Sequence, residues 1–144
     1  MLYLSLLRLS DMASSHPKVL IKVGDPGQIG DVEMQDLIFT TRGPTAGAVL
    51  VEWNIQASKP GSAGLWDCHA RIGGATGTQL TPAECPPSTS GVDAGCSAAS
   101  LMMHLTPSGS GYFENMWLWV SDHMIEYVKP SSFRLSPYEK AIFS

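Results

Sequence analysis

Met34-Gln35-Asp36-Leu37-Ile38-Phe39, Leu65-Trp66-Asp67-Cys68-His69-Ala70 and Phe113-Glu114-Asn115-Met116-Trp117-Leu118 share one local form. Each carries a large apolar residue, a variable residue, then Asp or Asn, then an alternating apolar run. Asp and Asn tolerate a left-handed backbone and can hydrogen-bond their own main chain, so they suit a bend between two strands. A single unit of strand, bend and strand cannot bury its apolar face alone, so its recurrence predicts stacked coils. The apolar runs are interrupted and joined by loops of very unequal length. That pattern fits an incomplete parallel β-helix of a few coils better than a sandwich, whose turns come at steadier spacing. The expected class is all-β.

Working outward from these units, strands are expected at Val19–Val23, at Asp31–Thr41 with a bend at Asp36, at Gly47–Ile55, at Gly64–Ile72, at Ala98–Leu105 and at Tyr112–Val120. Gly24-Asp25-Pro26-Gly27, Arg42-Gly43-Pro44-Thr45 and Gly73-Gly74 punctuate them as turns. Residues 75–97 read as a long loop with few apolar groups. In a parallel stack, Val32, Met34 and Leu37, then Val49 and Val51, Leu65, Leu101 and Met103, and Phe113 and Met116 are expected to meet in one column. Beyond His123 the pattern fades, and Lys129-Pro130-Ser131-Ser132 reads as a linker. The expected organisation is an N-terminal segment 1–18, coils over 19–123, and a poorly ordered tail over 124–144.

The chain has 144 residues, enough for one domain or part of a larger one. Only 15% are charged, against roughly 25% in typical globular domains. The surface is therefore rich in Gly, Ser, Thr and Pro, a mix that suits β-rich secreted proteins. A net charge of −4 argues against nucleic-acid binding, which needs a basic face. No apolar run reaches the ~18 residues a membrane span requires. The N-terminal stretch Met1–Leu7 is apolar, but its first positive charge, Arg8, follows the run. A signal peptide has the opposite order, so the stretch reads alternatively as a strand or as an arbitrary start within a longer protein.

Of the three cysteines, Cys85 and Cys96 bracket a loop rich in Pro, Ser and Gly. Closing it removes entropy from the unfolded chain, about 2–3 kcal/mol for this length. A Cys85–Cys96 disulfide is expected, and with it an oxidising compartment. Cys68 lies in a strand-like run and reads as a small buried hydrophobe. The cysteine spacing does not suit zinc, so no metal site and no cofactor are expected.

Lys22-Val23-Gly24-Asp25-Pro26-Gly27, Gly30–Ile55 and Gly61–Asp67 resemble fungal exo-β-1,3-glucanases of glycoside hydrolase family 55. So do Arg71-Ile72-Gly73-Gly74, Ala98–Leu101 and Tyr112–Trp117. Gly43-Pro44-Thr45-Ala46-Gly47-Ala48-Val49-Leu50-Val51-Glu52-Trp53-Asn54 is the most specific of these stretches, too long and irregular for β-helix composition alone. The resemblance runs roughly from residue 20 to 123. It implies a right-handed, pectate-lyase-like β-helix, a β-1,3-glucan substrate, a secreted protein, and a second β-helix that this chain lacks, as in an internal fragment. It also implies inverting hydrolysis by an acid and a water-activating group ~6.5–9.5 Å apart. The family's acid is a Glu before Ser-Pro-Tyr. Here Ser136-Pro137-Tyr138 follows Leu135, and its surroundings do not match, so no residue inherits that role.

Glu33, Asp36, Glu52, Asp67, Glu114, Asp122 and Glu126 are the carboxylates in or near the repeats, and no spacing singles out a pair. Asp36, Asp67 and Asn115 read as bend-formers. Glu52 reads as an outward strand position, with a buried acid as the alternative. Trp66, Trp117 and Trp119 are candidate platforms for sugar rings, though core packing is expected for at least two of them. Trp119, Asp122 and His123, where the chain leaves the last repeat, are the expected substrate contacts. His69 and His104 are expected to be satisfied polar groups within strands.

Overall fold

The computed structural model describes residues 18–87, 90–91 and 93–120. Among them the chain forms eleven strands: β1 (Lys18–Val23), β2 (Ile29–Gly30), β3 (Val32–Gln35), β4 (Ile38–Phe39), β5 (Ala48–Trp53), β6 (Gln56–Ala57), β7 (Ala63–Trp66), β8 (His69–Ile72), β9 (Leu101–Leu105), β10 (Tyr112–Glu114) and β11 (Trp117–Val120). The described fold is all-β, with one 3₁₀ turn at Ala94–Cys96. The first strand begins at Lys18, one residue before the expected boundary.

Three small sheets have the orders β1-β5-β9, β3-β7-β10 and β4-β8-β11, and a fourth pairs β2 with β6. Every pairing is parallel. Three successive passes of the chain thus supply one strand to each three-stranded sheet, and the second pass always lies in the middle. The outer edges of the first and third passes have no strand partner among the described residues.

The three bends fall in register. Asp36, Asp67 and Asn115 have φ of 57°, 52° and 51°, the left-handed region that Asp and Asn tolerate best after Gly. The ladder runs through them. Asp36 N donates to Trp66 O at 3.1 Å and Asp67 N to Glu114 O at 3.1 Å, while beyond the bend His69 N donates to Leu37 O at 2.8 Å. The backbone ladder therefore continues across the bends as the chain turns from one sheet to the next.

The core lies between the sheets. Val51 and Trp53 of β5, Leu65 of β7, Cys68 at the bend and Ala70 of β8 are all nearly or fully buried. The single apolar column expected from the sequence does not form. Met34, Leu65 and Phe113 make one ladder row, whereas Val49 pairs with Leu101 and Val51 with Met103 in a different sheet. Within a pass the chain has already turned between these strands. Their side chains meet across the interior instead, with the Trp53 ring edge-on to Phe113 at 5.1 Å.

The third pass has no counterpart of β2 and β6. Ser110 takes their place: its N donates to Ile55 O at 3.0 Å, and its hydroxyl accepts from Ala57 N at 3.0 Å. The strand expected at Ala98 starts only at Leu101. Ser97 and Ala98 are occupied instead with Thr45, whose N donates to Ser97 O and whose hydroxyl donates to Ala98 O. Cys85 and Cys96 are disulfide-bonded, and Cys68 is a buried free thiol.

Gly64 sits where β7 meets β10. A Cβ there would lie 2.4 Å from Tyr112 O and 2.8 Å from the Trp66 ring. Backbone cannot retreat cheaply, so Gly64→Ala is expected to cost about 1–3 kcal/mol by forcing β10 away from β7. Urea unfolding together with amide exchange in residues 112–114 measures this. An unchanged midpoint with unchanged protection would refute the close approach.

Candidate functional site

Along β4, β8 and β11, alternate residues face inward and outward. Ile38, His69 and Trp117 form one outward row, and Arg71 and Trp119 lie opposite each other two residues on. In the intervening row Phe39 and Ala70 are buried, while Leu118, their counterpart on the edge strand β11, is 48% exposed. The outward residues, with Ala70 and Asn115, line an open groove of about 280 Å³. A second hollow, lined by Asp36, Ile38, Asp67 and His69, adjoins it at the bend.

The tryptophans dominate this face. Trp117 is 59% exposed and Trp119 43%. The His69 ring meets Trp117 edge-on at 5.5 Å, and the Arg71 guanidinium lies 5.1 Å over the Trp119 ring. Trp117 Nε1 donates to Asn115 Oδ1 at 3.3 Å, and Asn115 Nδ2 donates to Asp67 Oδ1. The ladder of bend residues thus fixes the indole. His69 Nδ1 and Arg71 Nε and Nη2 are buried yet have no hydrogen-bond partner. Flat apolar rings beside unused polar nitrogens suit a ligand with an apolar face and a polar rim, the form of a sugar ring.

Several expectations are corrected here. Core packing for at least two of Trp66, Trp117 and Trp119 does not hold, because Trp117 and Trp119 occupy outward positions on an edge strand and Trp66 is only half-buried. His69 is not a satisfied group. His104 does have a partner, with Nδ1 3.7 Å from Glu52 Oε2. Glu52 is outward in the row Lys22–Glu52–His104, and it accepts from Asn54 Nδ2 at 2.9 Å. Asp36 and Asp67 serve as bend-formers. Burial pushes the Cys68 thiol up, so it stays protonated and inert.

Trp119 is in the groove. Asp122 and His123, expected beside it, lie outside the described residues, as do Leu135, Ser136-Pro137-Tyr138 and the tail 124–144. Sequence reasoning did not single out Arg71, and it set His69 aside. The available signal was spacing: His69 and Arg71 follow the bend Asp67 by two and four residues, as Trp117 and Trp119 follow Asn115. Among the described residues, no cluster of His, Cys, Asp and Glu is suited to a metal ion, and no helix is long and apolar enough to cross a membrane.

No family model matches the chain. Among curated proteins it is 49% identical over 110 residues to a Penicillium expansum protein named non-secreted LysM effector LysM15, covering 76% of this chain and 8% of that protein. It is 46% identical over 120 residues to the probable glucan endo-1,3-β-glucosidase of Arthroderma benhamiae, covering 81% of this chain and 13% of that one. It is 40% identical over 113 residues to the glucan 1,3-β-glucosidase of Cochliobolus carbonum, covering 78% and 14%. The chain therefore spans only 8–14% of the length of these relatives, and over most of its own length it belongs with proteins named glucan endo-1,3-β-glucosidase and glucan 1,3-β-glucosidase as well as with one named a LysM effector.

Proposed function

We propose that residues 19–123, with Lys18 opening the first strand, are coils of a right-handed parallel β-helix, with 1–17 and 124–144 outside the stack, and that the Trp117–Trp119 groove binds β-1,3-glucan. The observation that carries the binding reading is the pair of exposed tryptophans, two residues apart on β11, above His69 and Arg71. In this reading Trp119 is a stacking platform, and Asp122 and His123 supply further hydrogen bonds to sugar hydroxyls. The parallel pairing of three passes supports the helix, and the glucosidase names of the relatives support the substrate. The disulfide supports an oxidising, extracellular setting.

On this reading the chain is part of a longer exo-β-1,3-glucanase-type protein whose second β-helix carries the acid. By itself it binds glucan without hydrolysing it at an ordinary rate, since loss of general-acid assistance alone costs about 10²–10⁴-fold. Titration of the whole chain with laminarin oligosaccharides tests both parts. Binding is expected, with Trp117→Ala and Trp119→Ala each weakening it by about tenfold, as for an aromatic anchor. Absence of binding, or tryptophan variants that bind as well as the parent, would overturn the platform. Glucose release at about 1–10³ s⁻¹ would overturn the non-catalytic reading.

A further inference from the structure

Arg71 is the least explained residue of the groove. Its Nε and Nη2, on the same side of the guanidinium, form the fork that grips a carboxylate with two parallel hydrogen bonds. Both are buried and neither has an acceptor, and His69 Nδ1 in the same groove is also without a partner. A buried, always-charged donor pair is costly to leave unmatched, and such a group calls for a ligand. Among the described residues, no carboxylate lines the groove itself. Asp36 and Asp67 line the adjoining hollow instead, and Asp67 already accepts from Asn115.

We infer that the groove holds a subsite for a carboxylate-bearing sugar, a hexuronic acid unit within or at the end of a β-glucan. The inference rests on the glucan reading of the Trp117–Trp119 face and adds a charge preference to it. A neutral diol could accept both N–H bonds but would leave the cation uncompensated, whereas a carboxylate satisfies bonds and charge together. Trp117 offers the ring face for stacking. The Trp119 ring, which lies over the guanidinium from an edge strand, stays as the stacking platform of the neighbouring sugar unit. The chain as a whole carries −4, so the attraction is local to this groove.

The test is calorimetric titration of the full chain with laminarihexaose and with the same oligosaccharide oxidised at C6 to carboxylates. The oxidised form is expected to bind about tenfold more tightly, equivalent to ~1.4 kcal/mol, and the advantage should shrink as salt rises. In Arg71→Gln the ratio of the two affinities should fall to about one, and in Arg71→Lys, which keeps the charge without the fork, it should fall part-way. Equal affinities in the parent chain would overturn the uronate subsite and leave the glucan groove standing. Binding of neither sugar would overturn both. Should Arg71→Gln bind neither sugar because it misfolds, Arg71→Lys decides: an undiminished preference there would show that the fork is not what recognises the carboxylate.

Discussion

Trp53→Ala is expected to cost about 3–5 kcal/mol, the range for emptying a large aromatic site in a core. A domain of this kind has about 5–15 kcal/mol in total, so the variant sits at the edge of unfolding. Trp53 is fully buried on the central strand β5 and bridges the second and third passes. Its ring meets Phe113 edge-on, and its Nε1 donates to Ser110 O at 3.1 Å. Its carbonyl accepts from Thr106 N and from the Thr106 hydroxyl, both at 3.1 Å. The turn that follows is moulded on the indole. A Cβ at Gly109 would lie 2.6 Å from Trp53 O, and one at Gly111 would lie 3.0 Å from Trp53 Nε1. Removing the ring leaves a cavity and an unpaired Ser110 carbonyl together. Trp53→Phe keeps most of the volume and loses the bond to the carbonyl of exposed Ser110, so it should cost about 0.5–1.5 kcal/mol, the net contribution of one hydrogen bond. Urea unfolding of both variants measures the difference. A midpoint for Trp53→Ala equal to that of the parent would refute the central role of this side chain.

Breaking the Cys85–Cys96 disulfide is expected to cost about 2–3 kcal/mol, mainly through the freed loop of the unfolded chain. The native loop has other anchors. Leu80 is fully buried and Cys85 nearly so, Gly43 N donates to Thr78 O at 2.7 Å, and Gly74 N donates to Leu80 O at 3.0 Å. The sheets should therefore survive reduction at room temperature, with a lower unfolding midpoint. The measurement is urea unfolding of the chain with and without reductant, and of the Cys85→Ser/Cys96→Ser pair. Mapping of non-reduced peptides should return the Cys85–Cys96 cross-link and an unmodified Cys68, whose thiol is shielded by burial. A midpoint indifferent to reductant, or a bridge involving Cys68, would contradict this account.

The bends, the disulfide and the all-β class could be read from the chain because their causes are local. An Asp or Asn between two apolar runs carries its own tolerance for φ near 55°, and all three such residues adopt it. Two cysteines flanking a Pro- and Gly-rich loop are close in the chain whatever the rest does. The strand edges were less visible. Ala98–Ser100 resemble the start of β9 in composition, but hydrogen bonds to Thr45 and Ala46, more than fifty residues earlier, hold them outside it.

Which face of a strand looks outward is not a local property. Trp117-Leu118-Trp119-Val120 is apolar at every position, so period two defines two faces but cannot say which is buried. Pairing with β8 sets that choice: Leu118 falls opposite buried Ala70, and Trp117 and Trp119 fall opposite His69 and Arg71. The same register brings an arginine fork, a histidine and two indoles to one groove from segments separated by the long 75–97 loop. The spacing of each segment is written in the chain, but their meeting depends on parallel stacking, which holds distant residues one strand spacing apart.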